Sequence, residues 1–427
     1  MVTIASRVPG SVDRERNRPL TAFGAASWGG KQERHGEEAH TPGRRRLVTA
    51  RGRSDPNSES AGQRPSQGLG LAAVLSDWSA VLGLFRREGE DGSRTRIEAA
   101  RARFLAGPVQ PLRRRGVLGP PEPGLDLLSA GLGPDLTLVA LWAAHRDIAA
   151  ARAAEELEDG SVVARGRAPW AYRTVATWHG PAPRPAMIIE DLDLAFPIVQ
   201  PMPGGGLLAV ASRCRLREDG MAERTASVYG PYGFLERNGT VGDGIEDVQI
   251  SPRGRIVVSY FGEGVSGANG WSQETTPPLG QAGLVEFSAM LTPMWHYAPP
   301  RGMAPIADCY AMNVVGESIW ACYATDFPIV CVDEQLGVIT WQNDLRGASG
   351  LLVSASRVGL VGGDEPYDDR LAIGTLDGSR VRIDREMRLT LPDGGELPRD
   401  VQALCRNDRL IVLDGHEVLG LDLVDFN

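Results

Sequence analysis

The sequence predicts an all-β fold of the β-propeller type. Three observations carry this: a repeated strand–turn–strand unit after residue 126, turn residues set between its apolar runs, and a repeat spacing of about 40–60 residues. Asp247-Val248-Gln249 followed by ISPRGRIVVSYF matches Asp400-Val401-Gln402 followed by ALCRNDRLIVLD. The segments from Ile198 (IVQPMPGGGLLAVAS) and Asp308 (DCYAMNVVGESIWACY) follow the same grammar, with a weaker copy near Ala348. The units therefore start at 198, 247, 308, 348 and 400.

Each unit holds β-branched and aromatic runs bounded by Gly, Pro, Asn or Asp, which are strand and hairpin signals. The turns are placed accordingly, at Gly204-Gly205-Gly206, Pro252-Arg253-Gly254, Asp377-Gly378 and Asn407-Asp408. The longest interval, 247 to 308, contains a Gly- and Pro-rich insertion over 262–283, which reads as a flexible loop on one face of the disc. Upstream, Leu136–Trp142, Ser161–Ala164 and Tyr172–Trp178 read as strands of a further blade, and Ala143–Asp159 reads as more helical. At about 50 residues per blade, residues 126–427 make six blades, with five or seven as alternatives. A pair of β-sandwiches gives the same strand signals, but the shared spacing and the repeated acidic start favour the propeller.

Charge divides the chain at the same place. Residues 1–125 carry 21 basic and 13 acidic side chains and no cysteine, whereas 126–427 carry 24 basic, 41 acidic and all five cysteines. The expected organisation is a basic, disordered or weakly helical region over 1–125 and an acidic propeller over 126–427. The absence of methionine between Met1 and Met187, together with the break in composition, reads as a start assigned too far upstream. Lys31 is the only lysine beside 44 arginines, which reads as the codon bias of a GC-rich bacterial genome. The runs Arg44-Arg45-Arg46 and Arg113-Arg114-Arg115 have no interleaved aromatics, so they are not read as a nucleic-acid surface. Residues 68–85 form an apolar stretch interrupted by Asp77, better suited to a short amphipathic helix than to a span, and 93–106 read as a helix with Ile97, Ala100, Phe104 and Leu105 on one face. Neither a membrane span nor a secretory signal is read, so a cytoplasmic monomer is expected.

GIEDVQISPRGRIVVSYFGEG resembles blade segments of the NHL-type and gluconolactonase (SMP-30)-like propellers, on Asp247, Pro252 and Gly254. Tyr260 stands where those families often carry an acid, a departure that bears on metal coordination and hydrolysis. The segment IADCYAMNVVGESIWACYATDFPIVCVD is similar to a group of actinobacterial proteins.

Inner strands of a propeller converge on the central channel, so Glu190, Glu246, Asp247, Asp308 and Asp400 are candidates for an oxygen-rich site. Of these, Glu246, Asp247, Asp308 and Asp400 are the candidate ligands for calcium or another divalent cation. The plainer reading is that each acid bonds backbone amides within its own blade. His296, between Trp295 and Tyr297, is the candidate general base, with a packed aromatic-strand histidine as the plainer reading; His179 and His416 say less. The cysteines at 214, 309, 322, 331 and 405 read as reduced, buried thiols. Gly262, Gly264 and Gly267 spell G-x-G-x-x-G without a following helix, so no dinucleotide site is expected. The acidic cluster 364–369 would suit a basic partner or a cation. The expected function is a non-enzymatic module that binds a protein or small ligand through its loop face. The alternative is a metal-assisted hydrolase or lyase with its site at the channel.

Overall fold

The computed structural model describes residues 90–156, 162–182, 184–398 and 401–426. The expectations for residues 44–46 and 68–85, and for Asp400, lie outside these. The described chain opens on helix α1 (Glu90–Leu105), then two short strands, β1 (Val109–Pro111) and β2 (Arg113–Val117). Six blades follow, and in each the first strand listed is the innermost.

Blade 1 is β3 (Leu125–Leu132), β4 (Leu138–Ala144), β7 (Arg167–His179) and β8 (Met187–Leu194); a one-turn helix α2 (Ile148–Ala151) and a hairpin of β5 (Ala154–Glu156) and β6 (Val162–Ala164) interrupt it. Blade 2 is β9 (Pro197–Pro201), β10 (Leu207–Ala211), β11 (Ala226–Tyr229) and β12 (Leu235–Gly239). Blade 3 is β13 (Ile245–Ile250), β14 (Ile256–Tyr260), β15 (Leu284–Phe287) and β16 (Pro293–His296), with helix α3 (Gly262–Ser266) between its second and third strands. Blade 4 runs β17 (Asp308–Val315), β18 (Ser318–Ala324), β19 (Ile329–Val332) and β20 (Val338–Trp341). Blade 5 runs β21 (Gly350–Ser354), β22 (Arg357–Val361), β23 (Arg370–Asp377) and β24 (Arg380–Thr390), and blade 6 supplies β25 (Gln402–Arg406), β26 (Arg409–Asp414) and β27 (Glu417–Asp422).

The protein is thus a six-bladed propeller, and the repeat starts read from sequence fall within two residues of the inner strands they mark. The segment expected to be helical over 143–159 holds only α2 as α-helix among its described residues. Several strands, such as β10 (LLAVA) and β19 (IVCV), are buried along their whole length. They read as unbroken apolar runs because a neighbouring blade covers each face. Six apolar clusters lie between adjacent blades; one joins Leu138 and Trp142 of blade 1 to Ile411 and Leu413 of blade 6 and so completes the circle. Inner strands approach so closely that a Cβ on Gly131 would lie 1.8 Å from the Val199 carbonyl oxygen, which excludes every other residue there.

The ring closes with sequence upstream of residue 126. β2 pairs antiparallel with β27 as the outer strand of blade 6, and β1 pairs parallel with β24 as a fifth strand of blade 5. The run Arg113-Arg114-Arg115 lies in this closing strand: Arg113 pairs with Asp425 at 2.9 Å, Arg114 with Glu417, and Arg115 with Asp422 at 2.6 Å. Leu112 and Leu118 on either side of β2 are buried. A division at 125/126 separates these strands from the sheets they complete, because strand pairing ignores the change in charge that suggested it.

Upstream, α1 rests on the acidic loop of blade 5. Arg101 donates to both carboxylate oxygens of Asp369 (2.7 and 3.2 Å) and to the Pro366 carbonyl at 2.8 Å, and Phe104 meets Tyr367 edge-on at 5.1 Å. The acidic cluster therefore has a basic partner within the same chain.

Candidate functional site at the channel mouth

The blade connections differ in length between the two faces. At the end where inner strands begin, connections such as 212–225, 261–283 and 297–307 are long; at the other end short turns such as 251–255 and 407–408 suffice. The elaborated end carries three of the acids read from sequence. Glu246 and Asp247 lie at the start of β13 and Asp308 at the start of β17, all half-buried.

Their electrostatics are unusual. Burial, followed by the charges of Asp308 and Asp247, raises the Glu246 carboxyl to about 8. Burial raises Asp247 to about 6, against the opposing pull of the Gln249 amide, the Val248 N–H and the Arg406 charge. Burial also raises Asp308 to about 6, with the Gly262 N–H opposing. Tyr310, two residues after Asp308 on β17, is raised by burial and then by the charges of Asp308, Asp364 and Glu246, and its ring meets Phe327 edge-on at 5.2 Å. At neutral pH Glu246 holds its proton while its neighbours are largely ionised.

Below this mouth, polar side chains bridge the blades across the channel. Gln249 donates from Nε2 to Asp247 Oδ2 (2.9 Å), Met312 O (3.2 Å) and Cys405 O (3.2 Å). Its Oε1 accepts from Val314 N and from Arg406 Nη1, both at 2.8 Å. Asn313 donates to Leu351 O at 2.8 Å and Asn407 O at 2.7 Å, and accepts from Asn407 N at 2.9 Å. Blades 3, 4, 5 and 6 are tied together through these amides. Arg406 has no exposed surface, and burial lowers it to about 10.

The insertion after β14 is packed, contrary to its reading as a flexible loop. Trp271 and Val265 are buried, and Trp271 Nε1 donates to Cys214 O at 2.8 Å. Asp243 accepts from Cys214 N at 2.6 Å and from Asn269 Nδ2, while Arg213 bonds Glu263 and lies over the Phe261 ring. The G-x-G-x-x-G glycines serve this packing: a Cβ on Gly264 would lie 2.5 Å from Asp243 O, and one on Gly244 would lie 2.3 Å from Gly264 N. A short helical turn, α3, follows Phe261; its Gly264 and Val265 amides donate to Phe261 O, and its first amide, Gly262, donates to the Asp308 carboxylate.

The other sequence-predicted residues are not brought to the mouth. His296 is exposed on β16, the outermost strand of blade 3, three strands and about 14 Å from the inner strand that bears Glu246. Glu190 lies on β8, the outermost strand of blade 1, with its side chain 71% exposed. His179 bonds Thr177, and His416 meets Trp142 edge-on. The five cysteines are free and mostly buried, and burial pushes the thiols up, to about 12 for Cys322 and Cys405. Among the described residues, no group of three or more His, Cys, Asp and Glu is placed to hold a metal ion. No helix among them is long and apolar enough to cross a membrane. Sequence reasoning missed Gln249, Asn313, Arg406 and Tyr310, since a polar residue in an inner strand carries no mark of which blade it will bond.

No protein-family model matches the chain, and neither does any curated protein. Solved structures do. Virginiamycin B lyase from Staphylococcus aureus is 9% identical, over 72% of this chain and 97% of its own, with a TM-score of 0.34. A gluconolactonase from Xanthomonas campestris is 12% identical, over 74% and 98%, with a TM-score of 0.35. Apo AztD from Citrobacter koseri is 10% identical, over 70% and 83%, with a TM-score of 0.34. Lyases, lactonases and other proteins thus appear among chains similar to this one at low identity, and the propeller assignment itself rests on the sheet order described above.

Proposed function

We propose that the protein is a non-enzymatic binding module that holds a positively charged group of its ligand at the channel mouth. The observation that carries this reading is the trio Glu246, Asp247 and Asp308, gathered by two neighbouring inner strands above a channel crossed by bonded amides. Carboxyls raised by burial, and in Glu246 also by the charges of Asp308 and Asp247, are poised to gain from a cation, which offsets those charges and releases the proton on Glu246. Calcium is a poor fit for the described residues, because their acids are not grouped as a ligand set.

One observation favours a second reading, a hydrolase or lyase without the metal step. A carboxyl near 8 beside carboxyls near 6 is the separation that divides a proton donor from an ionised partner. Glu246 would then be the acid in place of His296.

Calorimetric titration of the full chain at pH 7.5 with arginine methyl ester, putrescine and calcium chloride separates these readings. Binding of an organic cation with proton release, abolished in the triple variant Glu246→Gln, Asp247→Asn, Asp308→Asn, supports the module. Calcium binding alone, or no binding, overturns it. Turnover of lactone or ester substrates that is lost in Glu246→Gln establishes the second reading instead.

A further inference from the structure

The outer corner of blades 1–3, at the end away from the acid mouth, exposes large apolar side chains. Tyr232 is 82% and Phe234 77% exposed in the β11–β12 turn, and Leu235, Met290 and Met294 are exposed beside them. They form one surface. Gly233, between the two aromatics, sits so close to β8 that a Cβ there would lie 1.9 Å from Ile188 O, while Arg237 Nη1 reaches Met290 Sδ at 3.0 Å. With the hollow beside them, the five side chains, which offer roughly 650 Å², approach the ~800 Å² per partner of a stable interface and exceed the patch of about 300–600 Å² on an ordinary monomer.

A hollow of about 280 Å³ lies on the same end of the same blades, lined by Pro134, Pro201, Met202, Pro203 and Pro252 with Asp135 and Arg184 at its rim. The turn bearing the aromatics adjoins it, since a Cβ on Gly205 would touch Pro231 at 3.6 Å. An apolar hollow and a pair of protruding rings on one face are the two halves of an isologous contact, in which residue i meets j and j meets i. The charges nearby are of both signs, Glu236 and Asp135 against Arg237 and Arg184, so the patch does not repel its own copy.

We propose that a second copy of this chain docks on the face of blades 1–3, each copy seating Tyr232 and Phe234 over the proline-lined hollow of the other. This replaces the monomer expected from sequence and is independent of the acid mouth. Sedimentation velocity of the full chain from 1 to 50 µM tests it. A dimer is expected, with Tyr232→Asp plus Phe234→Asp raising the dissociation constant at least about tenfold while circular dichroism and the thermal midpoint stay unchanged, since both rings lie outside the core. Pro203→Arg, which fills the hollow without touching the rings, weakens the dimer likewise. A monomer throughout, or a dimer indifferent to both variants, overturns the proposal, including the case in which the patch serves a different protein.

Discussion

Two regions rich in carboxylates behave in opposite ways. At the ring seam, Asp422 is half-enclosed but accepts from Arg409 and Arg115, both at 2.6 Å; burial pushes it up, and the two guanidinium groups outweigh that and hold it below its ordinary value. At the channel mouth Glu246 is also removed from water, yet its neighbours are further acids and it rises to about 8. The seam uses matched charge to close the circle, whereas the mouth keeps like charges together and so reduces stability at neutral pH. An arrangement that weakens the fold is more readily explained by binding than by structure.

The largest effect should come from breaking the seam. A chain lacking residues 1–117 loses β1, β2 and the buried Leu112, leaving β27 without an outer partner. Cooperative thermal unfolding, followed by circular dichroism, is expected to vanish. A midpoint equal to that of the full chain would mean that the seam is dispensable. Next comes Gln249→Leu, which leaves Arg406 Nη1 and the Val314 N–H without their buried acceptor. A loss of about 2–4 kcal/mol in urea unfolding is expected, because a buried amide and one nitrogen of a buried guanidinium lose their acceptor.

The third prediction sets the two regions against each other by sign. The mouth acids have folded values above their unfolded ones, so their contribution is complete below about pH 4 and is lost as pH rises through about 6 to 8. Asp422 has a depressed folded value, so its contribution is present above about pH 4 and is lost on acidification. Glu246→Gln should therefore raise the thermal midpoint at pH 8 by a few degrees and leave it unchanged at pH 4, while Asp422→Asn should lower it at pH 8. Equal signs for the two variants at pH 8 would erase the distinction. The smallest effect belongs to Arg101→Ala, where a partly exposed pair with Asp369 is lost. Urea unfolding should show less than about 1 kcal/mol, and more than 2 would make α1 part of the core.

Much of the architecture was legible because blades are local. A hairpin is specified by its own turn residues and apolar runs, so Pro252-Arg253-Gly254 and Asn407-Asp408 marked their turns, and the 262–283 insertion could be placed between two strands. The seam was not legible. Arg113-Arg114-Arg115 carries no signal that it will pair with residues about 300 positions later, and its basic character pointed to the wrong side of a boundary. The mouth lies between these cases. The position of Asp247 and Asp308 at inner-strand starts follows from the repeat, but His296 and Glu190 needed a strand order to show that they sit on outer edges.

By itself, then, the sequence determined the repeating unit, its turns and the acids that open two of its inner strands, because these depend on contacts a few residues apart. Only the tertiary structure decided that the circle closes with residues 109–117, that Gln249 and Arg406 tie opposite blades, and that Glu246 keeps its proton. Those outcomes depend on distances between groups remote in sequence and on how much water lies between them, which no linear pattern encodes.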